Sequence, residues 1–329
     1  MKAFTHTAAR DAKDAVKLAQ QAHKSGRTVA FSGGGSDLLG LIKERIVQPD
    51  VLVSLRSAKG LDGVTANRDG LTIGGLVTLD ALSHHPEVGQ QHAVLSEAAG
   101  SVATPQIRNV GTLAGNVCQR PWCWYYRNGF PCYKAGGTQC FSISGENRFH
   151  AIFGGGPSYI VHPSDTAPAL VALGATFNIV GPSGERVVPA SEFFVLPRQN
   201  AARENVLGDD DVLASVHVPA ARPGTRSTYH KELDREAWTH AVVSVAVVLE
   251  MDRGTCRSAR VVLGGVAPIP WRLPAVEQML TGQRITDELC ARAGDAAVAG
   301  ARALSKNAYK IPITRAIVHR TIADLAARA

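Results

Sequence analysis

No stretch of this 329-residue chain approaches the roughly 20 consecutive apolar residues that a membrane-spanning helix requires. The N-terminal MKAFTHTAARDAKDAVKLAQ also lacks an apolar core of signal-peptide length, so the chain is expected to carry no address of its own. Basic residues outnumber acidic ones by 35 to 28, yet they form neither a Lys/Arg run nor a helix-turn-helix pattern. Scattered positive charge is ordinarily a solvated surface, and no nucleic-acid partner is expected. The excess still favours anionic partners, a phosphorylated cofactor among them. Low-complexity segments and internal repeats are missing too. Cysteine is sparse, but four of the six residues crowd into positions 115–140. Six thiols in a long chain do not resemble the disulfide framework of a small secreted domain, which leaves a metal or redox role as the better expectation.

What is present reads as a globular α+β (α/β) protein of two or three domains. Small apolar residues at positions 12, 15, 16, 19 and 22 give one helical face over residues 11–24, with Gly26 as a stop. Residues 28–31 read as a buried strand that breaks at three glycines, after which Ser36 and Asp37 are placed to cap a turn through Leu38, Leu39 and Leu41. Strands are expected at 51–55 and 71–73, and helices at 78–85, 93–99 and 167–173. A hairpin is expected over 176–188. The segment 219–224, PAARPG, has the most linker-like composition and divides the chain into units 1–220 and 224–329. In the second unit, residues 241–251 and 257–263 form a hairpin about Asp252-Arg253-Gly254, and Ala-rich helices follow.

Four stretches have the residue types for chemistry. The first is Phe31-Ser32-Gly33-Gly34-Gly35-Ser36-Asp37-Leu38-Leu39. A strand ending in three glycines lets backbone N–H groups approach a phosphate, although a tight structural turn accounts for the same residues. It is neither a Walker loop nor a G-x-G-x-x-G fingerprint. The second, TPQIRNVGTLAGN at 104–116, offers hydroxyl and amide donors without bulk, including Thr112, Gly115 and Asn116. The third is the thiol group Cys118, Cys123, Cys132 and Cys140, with four, eight and seven residues in the successive gaps. Paired zinc knuckles fit only the first gap, whereas iron-sulfur clusters accept varied spacings. Trp122, Trp124, Tyr125, Tyr126 and Phe130 would supply an apolar wall there. The fourth is His162-Pro163-Ser164-Asp165, a stiff turn whose hydroxyl and carboxylate can cap the following helix or meet a ligand.

Together these stretches resemble the FAD-binding subunit of the molybdenum hydroxylase (xanthine dehydrogenase) family, with Lys231 ahead of SVA and LGGVAPIPWR near the C-terminus. The resemblance implies an FAD-binding domain of the PCMH type in two subdomains, then a smaller C-terminal α+β domain. It implies FAD contacts from Phe31 to Leu39, Thr112, Gly115, Asn116, Asp165 and Lys231. The insert 116–160 is similar to that of aldehyde oxidoreductase medium subunits and, more distantly, 4-hydroxybenzoyl-CoA reductase, both of which carry an additional 4Fe-4S cluster. Cys123, Cys132 and Cys140 match three cluster cysteines. The fourth family cysteine falls where this chain has Pro157-Ser158-Tyr159, which leaves Cys118 as the substitute, ahead of Ser158 and His150.

The implied partners are a molybdenum-cofactor large subunit, a 2Fe-2S small subunit and an external electron acceptor. The compartment is then the cytoplasm, or the periplasm by export with a signal-bearing partner. The competing readings are a metal-stabilised scaffold without flavin chemistry and a free-standing flavin oxidase. The oxidase is disfavoured because no acid/base constellation for a substrate is visible.

Overall fold

The alanine stripe does what its spacing requires. Helix Ala12–Lys24 buries Ala12, Ala15, Val16, Ala19 and Ala22, and the Asp11 carboxylate caps it by accepting from the Asp14 N–H at 2.8 Å. The coordinates are a computed structural model that describes residues 1–236 and 239–328. This helix is the crossover between parallel strands β1 (Thr5–Ala8) and β2 (Val29–Ser32), and β3 (Val51–Ser54) lies between them in the order β1-β3-β2. Central β3 is buried at every position, as an unbroken VLVS run in a parallel sheet should be.

A second, antiparallel sheet contains β4 (Val64–Asn67), β5 (Gly70–Gly74), β6 (Thr176–Gly181), β7 (Gly184–Pro189) and β8 (Val212–Pro219), in the order β4-β5-β8-β6-β7. It shares one core with helices Leu79–His84, Ala93–Gly100, Leu113–Val117 and Thr166–Ala172, centred on Leu71, Ile73, Leu82, Leu95, Leu170 and Phe177.

A third sheet follows, with β9 (Thr225–Glu232), β10 (Val243–Asp252), β11 (Thr255–Gly264) and β12 (Trp271–Arg272) in the antiparallel order β12-β11-β10-β9. The expected β10–β11 hairpin turns on Arg253 at φ 49° and Gly254 at φ 82°. Two consecutive positive φ values are what a two-residue type I′ turn demands. Helices Pro274–Leu280, Asp287–Ala297 and Lys310–Ala327 pack with this sheet through Val245, Val261, Val276, Leu280, Val318 and Ile322. Among the described residues no helix is long and apolar enough to cross a membrane.

The segment 219–224 does separate strands of different sheets, but it is not a loose tether. The Ala220 N–H donates to the Asp69 carbonyl at 3.0 Å, and the Gly224 carbonyl accepts from the Met251 N–H at 2.9 Å. The sequence pattern missed β1, β4, β8 and β9. Apart from β8, whose VLASVHV run is apolar and mostly buried, these strands are largely polar and carry little alternation, as in TRSTYHKE of β9, and neighbouring strands hold them in place.

Candidate functional site

The first glycine loop follows β2 directly. Its glycines serve loop-to-loop contact: a Cβ on Gly34 would run into the Val110 carbonyl, and one on Gly33 would press the Thr112 side chain at 3.0 Å. Gly35 adopts φ +77°, the left-handed region that favours glycine. The two donor-rich stretches therefore form one joint. Only Ser36 and Asp37 of the first loop line the cavity beside it. Phe31, Ser32, Gly33, Gly34, Gly35, Leu38 and Leu39 lie outside that lining.

Asp37 does not cap the short helix Leu38–Lys43 as expected. Its carboxylate accepts from Arg127 Nη2 at 2.7 Å and from the Arg120 N–H at 3.1 Å. Arg127 is 7% exposed and also donates to the Pro121 and Arg120 carbonyls. Its guanidinium lies 4.3 Å from the Trp122 ring centroid. This one arginine staples the Cys-rich insert to the first loop, a role that its neighbours in sequence do not signal.

In the second loop, Thr112 Oγ1 accepts from the Gly115 N–H at 3.2 Å. Asn116 Oδ1 accepts from Ser164 Oγ at 2.6 Å and Thr166 Oγ1 at 2.7 Å, which ties this loop to the HPSD turn. Ser164 caps helix Thr166–Ala172 by accepting from the Ala167 N–H at 3.0 Å. Asp165 makes no capping bond, because its carboxylate turns to Tyr229 Oη and Lys231 Nζ, each at 2.7 Å. Burial, then the Asp165 charge, pushes the Tyr229 phenol well above its ordinary pKa, so it remains a donor. Asp165 lines the cavity and Lys231 does not. The two residues expected as separate contacts form a single buried ion pair, with 4% and 5% of the side chains exposed.

The cavity is about 530 Å³, within the range of about 300–1,000 Å³ usual for cofactor pockets. The two loops, the HPSD turn, the start of the insert and residues of the C-terminal unit surround it. His162 and His240 belong to its wall; His162 lies in the HPSD turn singled out from sequence but is not expected there as a contact, and His240 is not singled out at all. His162 Nδ1 accepts from the Ser164 N–H at 3.4 Å, which leaves the proton on Nε2. His240 packs against Trp122 with ring centroids 5.4 Å apart. A mixed cavity with hydroxyls, amides, imidazoles and two carboxylates neutralised by ion pairs, Asp37 with Arg127 and Asp165 with Lys231, suits a dinucleotide with a heteroaromatic ring.

Burial lowers the pKa of His162 to about 3, and those of His92 and His150 to about 4. These folded-state values lie below the ordinary 6.5, so between about 6.5 and 4 the unfolded chain binds more protons than the native one. Stability should accordingly fall as pH drops through that window, by at most about 1.4 kcal/mol per pH unit for each histidine. Thermal melting from pH 7 to pH 4 checks this, and a flat midpoint over the window would contradict it.

The insert brings three of its four thiols within influence of one another. Burial raises the Cys123 pKa to about 11, and Cys132 and Cys140 contribute to the shift. Cys123 Sγ is 3.4 Å from His150 Nε2. Cys132 is buried beside Leu41 and Tyr126, with Cys123 and Phe141 packed against them. Cys118 stands apart, packed against the core of the five-stranded sheet. Its thiol is raised to about 12 by burial and by Glu204. Glu204 itself pairs with Lys134 at 2.7 Å and Arg120 at 3.2 Å. All six cysteines are free. Among the described residues no group of three or more His, Cys, Asp or Glu side chains is arranged to hold a metal ion.

A βαβ lobe, an antiparallel lobe and a cavity at two interlocked glycine loops define a nucleotide-cofactor-binding α+β protein with an appended C-terminal domain. Residues 2–221 match the FAD binding domain in molybdopterin dehydrogenase, and residues 228–325 match the CO dehydrogenase flavoprotein C-terminal domain. The aldehyde oxidoreductase FAD-binding subunit PaoB of Escherichia coli (strain K12) is 33% identical over 336 residues, covering 100% of both chains. The carbon monoxide dehydrogenase medium chain of Hydrogenophaga pseudoflava is 28% identical over 297 residues, covering 90% of this chain and 86% of that one. A solved structure of the carbon monoxide dehydrogenase of that organism, lacking the Mo-pyranopterin moiety, superposes with a TM-score of 0.78 at 27% identity and covers 99% and 98% of the two chains. The chain belongs to the FAD-binding subunits of the molybdenum hydroxylase family.

Proposed function

We propose that this chain is the FAD-carrying electron-transfer subunit of a heteromeric molybdenum oxidoreductase of the aldehyde oxidoreductase or xanthine dehydrogenase type. The cavity at the joint of the two glycine loops, in a chain of this family, carries the reading. The first unit, 1–220, holds the cofactor, and the second, 224–329, closes the far wall. Ser36, Asp37, Thr112, Gly115, Asn116 and Asp165 face the cofactor or fix what faces it. Phe31 to Gly35, with Leu38 and Leu39, shape the loop behind them, and Lys231 neutralises Asp165. The bound flavin supplies one-electron exchange with metal clusters and two-electron exchange with an external acceptor.

The partners in this reading are a molybdenum-cofactor large subunit and a 2Fe-2S small subunit. A complex purified with its partners is expected to lose flavin absorbance on anaerobic addition of the large subunit's substrate and regain it with acceptor. Substrate oxidation by this chain alone would overturn the proposal in favour of a free-standing oxidase.

The same reading includes a 4Fe-4S cluster on the insert. A cubane spreads its ligands over four irons, so its thiolates need not converge on one point. Three thiols that sense one another, with an imidazole 3.4 Å from one of them, form a donor set of the kind that iron-sulfur clusters accept. The position of Cys118 in a different core argues against the fourth thiol expected from sequence. Ligation requires thiolates, so loading should release protons, that of the raised Cys123 thiol among them. Iron per chain is expected to be unchanged in Cys118→Ser and lost in Cys132→Ser. A wild-type complex without iron beyond that of its 2Fe-2S clusters would refute the cluster.

A further inference from the structure

Lys310 opens helix Lys310–Ala327 and is 1% exposed, yet it pairs with no carboxylate among the described residues. Its Nζ donates to the Gly265 carbonyl at 2.7 Å and the Phe149 carbonyl at 3.1 Å. Both residues line the cavity, Phe149 from the insert and Gly265 from the C-terminal unit. A buried ammonium without a counter-ion is costly and persists where something offsets it. The ammonium thus sits directly behind two residues of the cavity wall, one from each side of the cleft between insert and C-terminal unit.

We propose that Lys310 is a positioning residue for the bound flavin: it fixes two cavity-wall carbonyls and adds a positive charge that favours the reduced over the oxidised cofactor. The inference rests on the FAD reading given above. Reduction of FAD by two electrons with uptake of one proton gives FADH⁻, a net gain of one negative charge. A cation behind the wall binds that anion more tightly than the neutral ring.

The test is a redox titration of the flavin in the purified complex, comparing wild type with Lys310→Met and Lys310→Arg. It is run at pH 6, because burial lowers the Lys310 pKa to about 7. Loss of the charge is expected to weaken reduced relative to oxidised FAD by about 10- to 100-fold, a fall of about 30–60 mV in midpoint potential. The Arg variant is expected to keep the wild-type potential. A folded, loaded Met variant with an unchanged potential would overturn the proposal. If the Met variant does not load FAD, Lys310→Gln, which keeps an N–H donor for the carbonyls, takes its place. Failure of both to load would reduce Lys310 to a structural clamp and also overturn the proposal. A wild-type complex without flavin would instead sink the FAD reading itself.

Discussion

Replacing Lys231 with Met is expected to destabilise the native chain by about 3–5 kcal/mol and to abolish flavin retention. The change leaves Asp165, whose side chain is 5% exposed, as an uncompensated buried charge, and breaking a buried pair from one side costs this much. Among the described residues the Lys231 ammonium donates only to Asp165 and the Ser101 carbonyl. Tyr229 still donates to Asp165, which tempers the penalty without removing it. The double variant Lys231→Met/Asp165→Asn should recover most of the stability, because no charge is then stranded. It should not recover flavin retention, because the wall has lost the Asp165 carboxylate. Urea unfolding and flavin absorbance read the two effects separately. A single-variant loss below about 1 kcal/mol would mean that the pair does not hold this turn.

Substituting Gly34 with Val should cost about 3 kcal/mol, at the upper end of overpacking penalties. The atom in the way is the backbone carbonyl of Val110, which cannot move aside as a side chain would. The two loops must separate, and the cavity they bound then loses its shape. Flavin retention should fall with stability. A control at Gly40, where an added Cβ meets nothing within 4 Å, should be nearly neutral. Equal effects at the two positions would contradict the interlocked joint.

Local periodicity made part of this architecture legible. The Ala12–Lys24 stripe, the β10–β11 hairpin and the helix over Ala93–Gly100 each carry their own signal in composition and spacing. Strands β1, β4 and β9 do not, since largely polar strands are fixed by their neighbours rather than by alternation, whereas β8 carries an apolar VLASVHV run that the pattern reading passed over.

The site divides in the same way. Ser36, Asp37, Thr112, Gly115, Asn116 and Asp165 sit in glycine-rich or turn-forming contexts that announce themselves, and all six line the cavity. His162 lies in the HPSD turn that the sequence singles out, without being named as a contact, whereas Arg127, His240 and Lys310 were invisible. Arg127 is 90 residues from Asp37, and Lys310 acts on carbonyls 45 and 161 residues away. No local pattern encodes such distances. The glycines of the first loop serve a purpose the sequence did not signal: Gly34 makes room for the second loop.

The central claim is that the cavity between these loops holds FAD. Its most direct test is the FAD content of the complex purified without added flavin, alongside the Asp165→Asn/Lys231→Met variant. The account predicts one FAD per chain in the wild type and little or none in a folded variant. A folded wild-type complex without FAD, or a folded variant that retains it in full, would contradict the account.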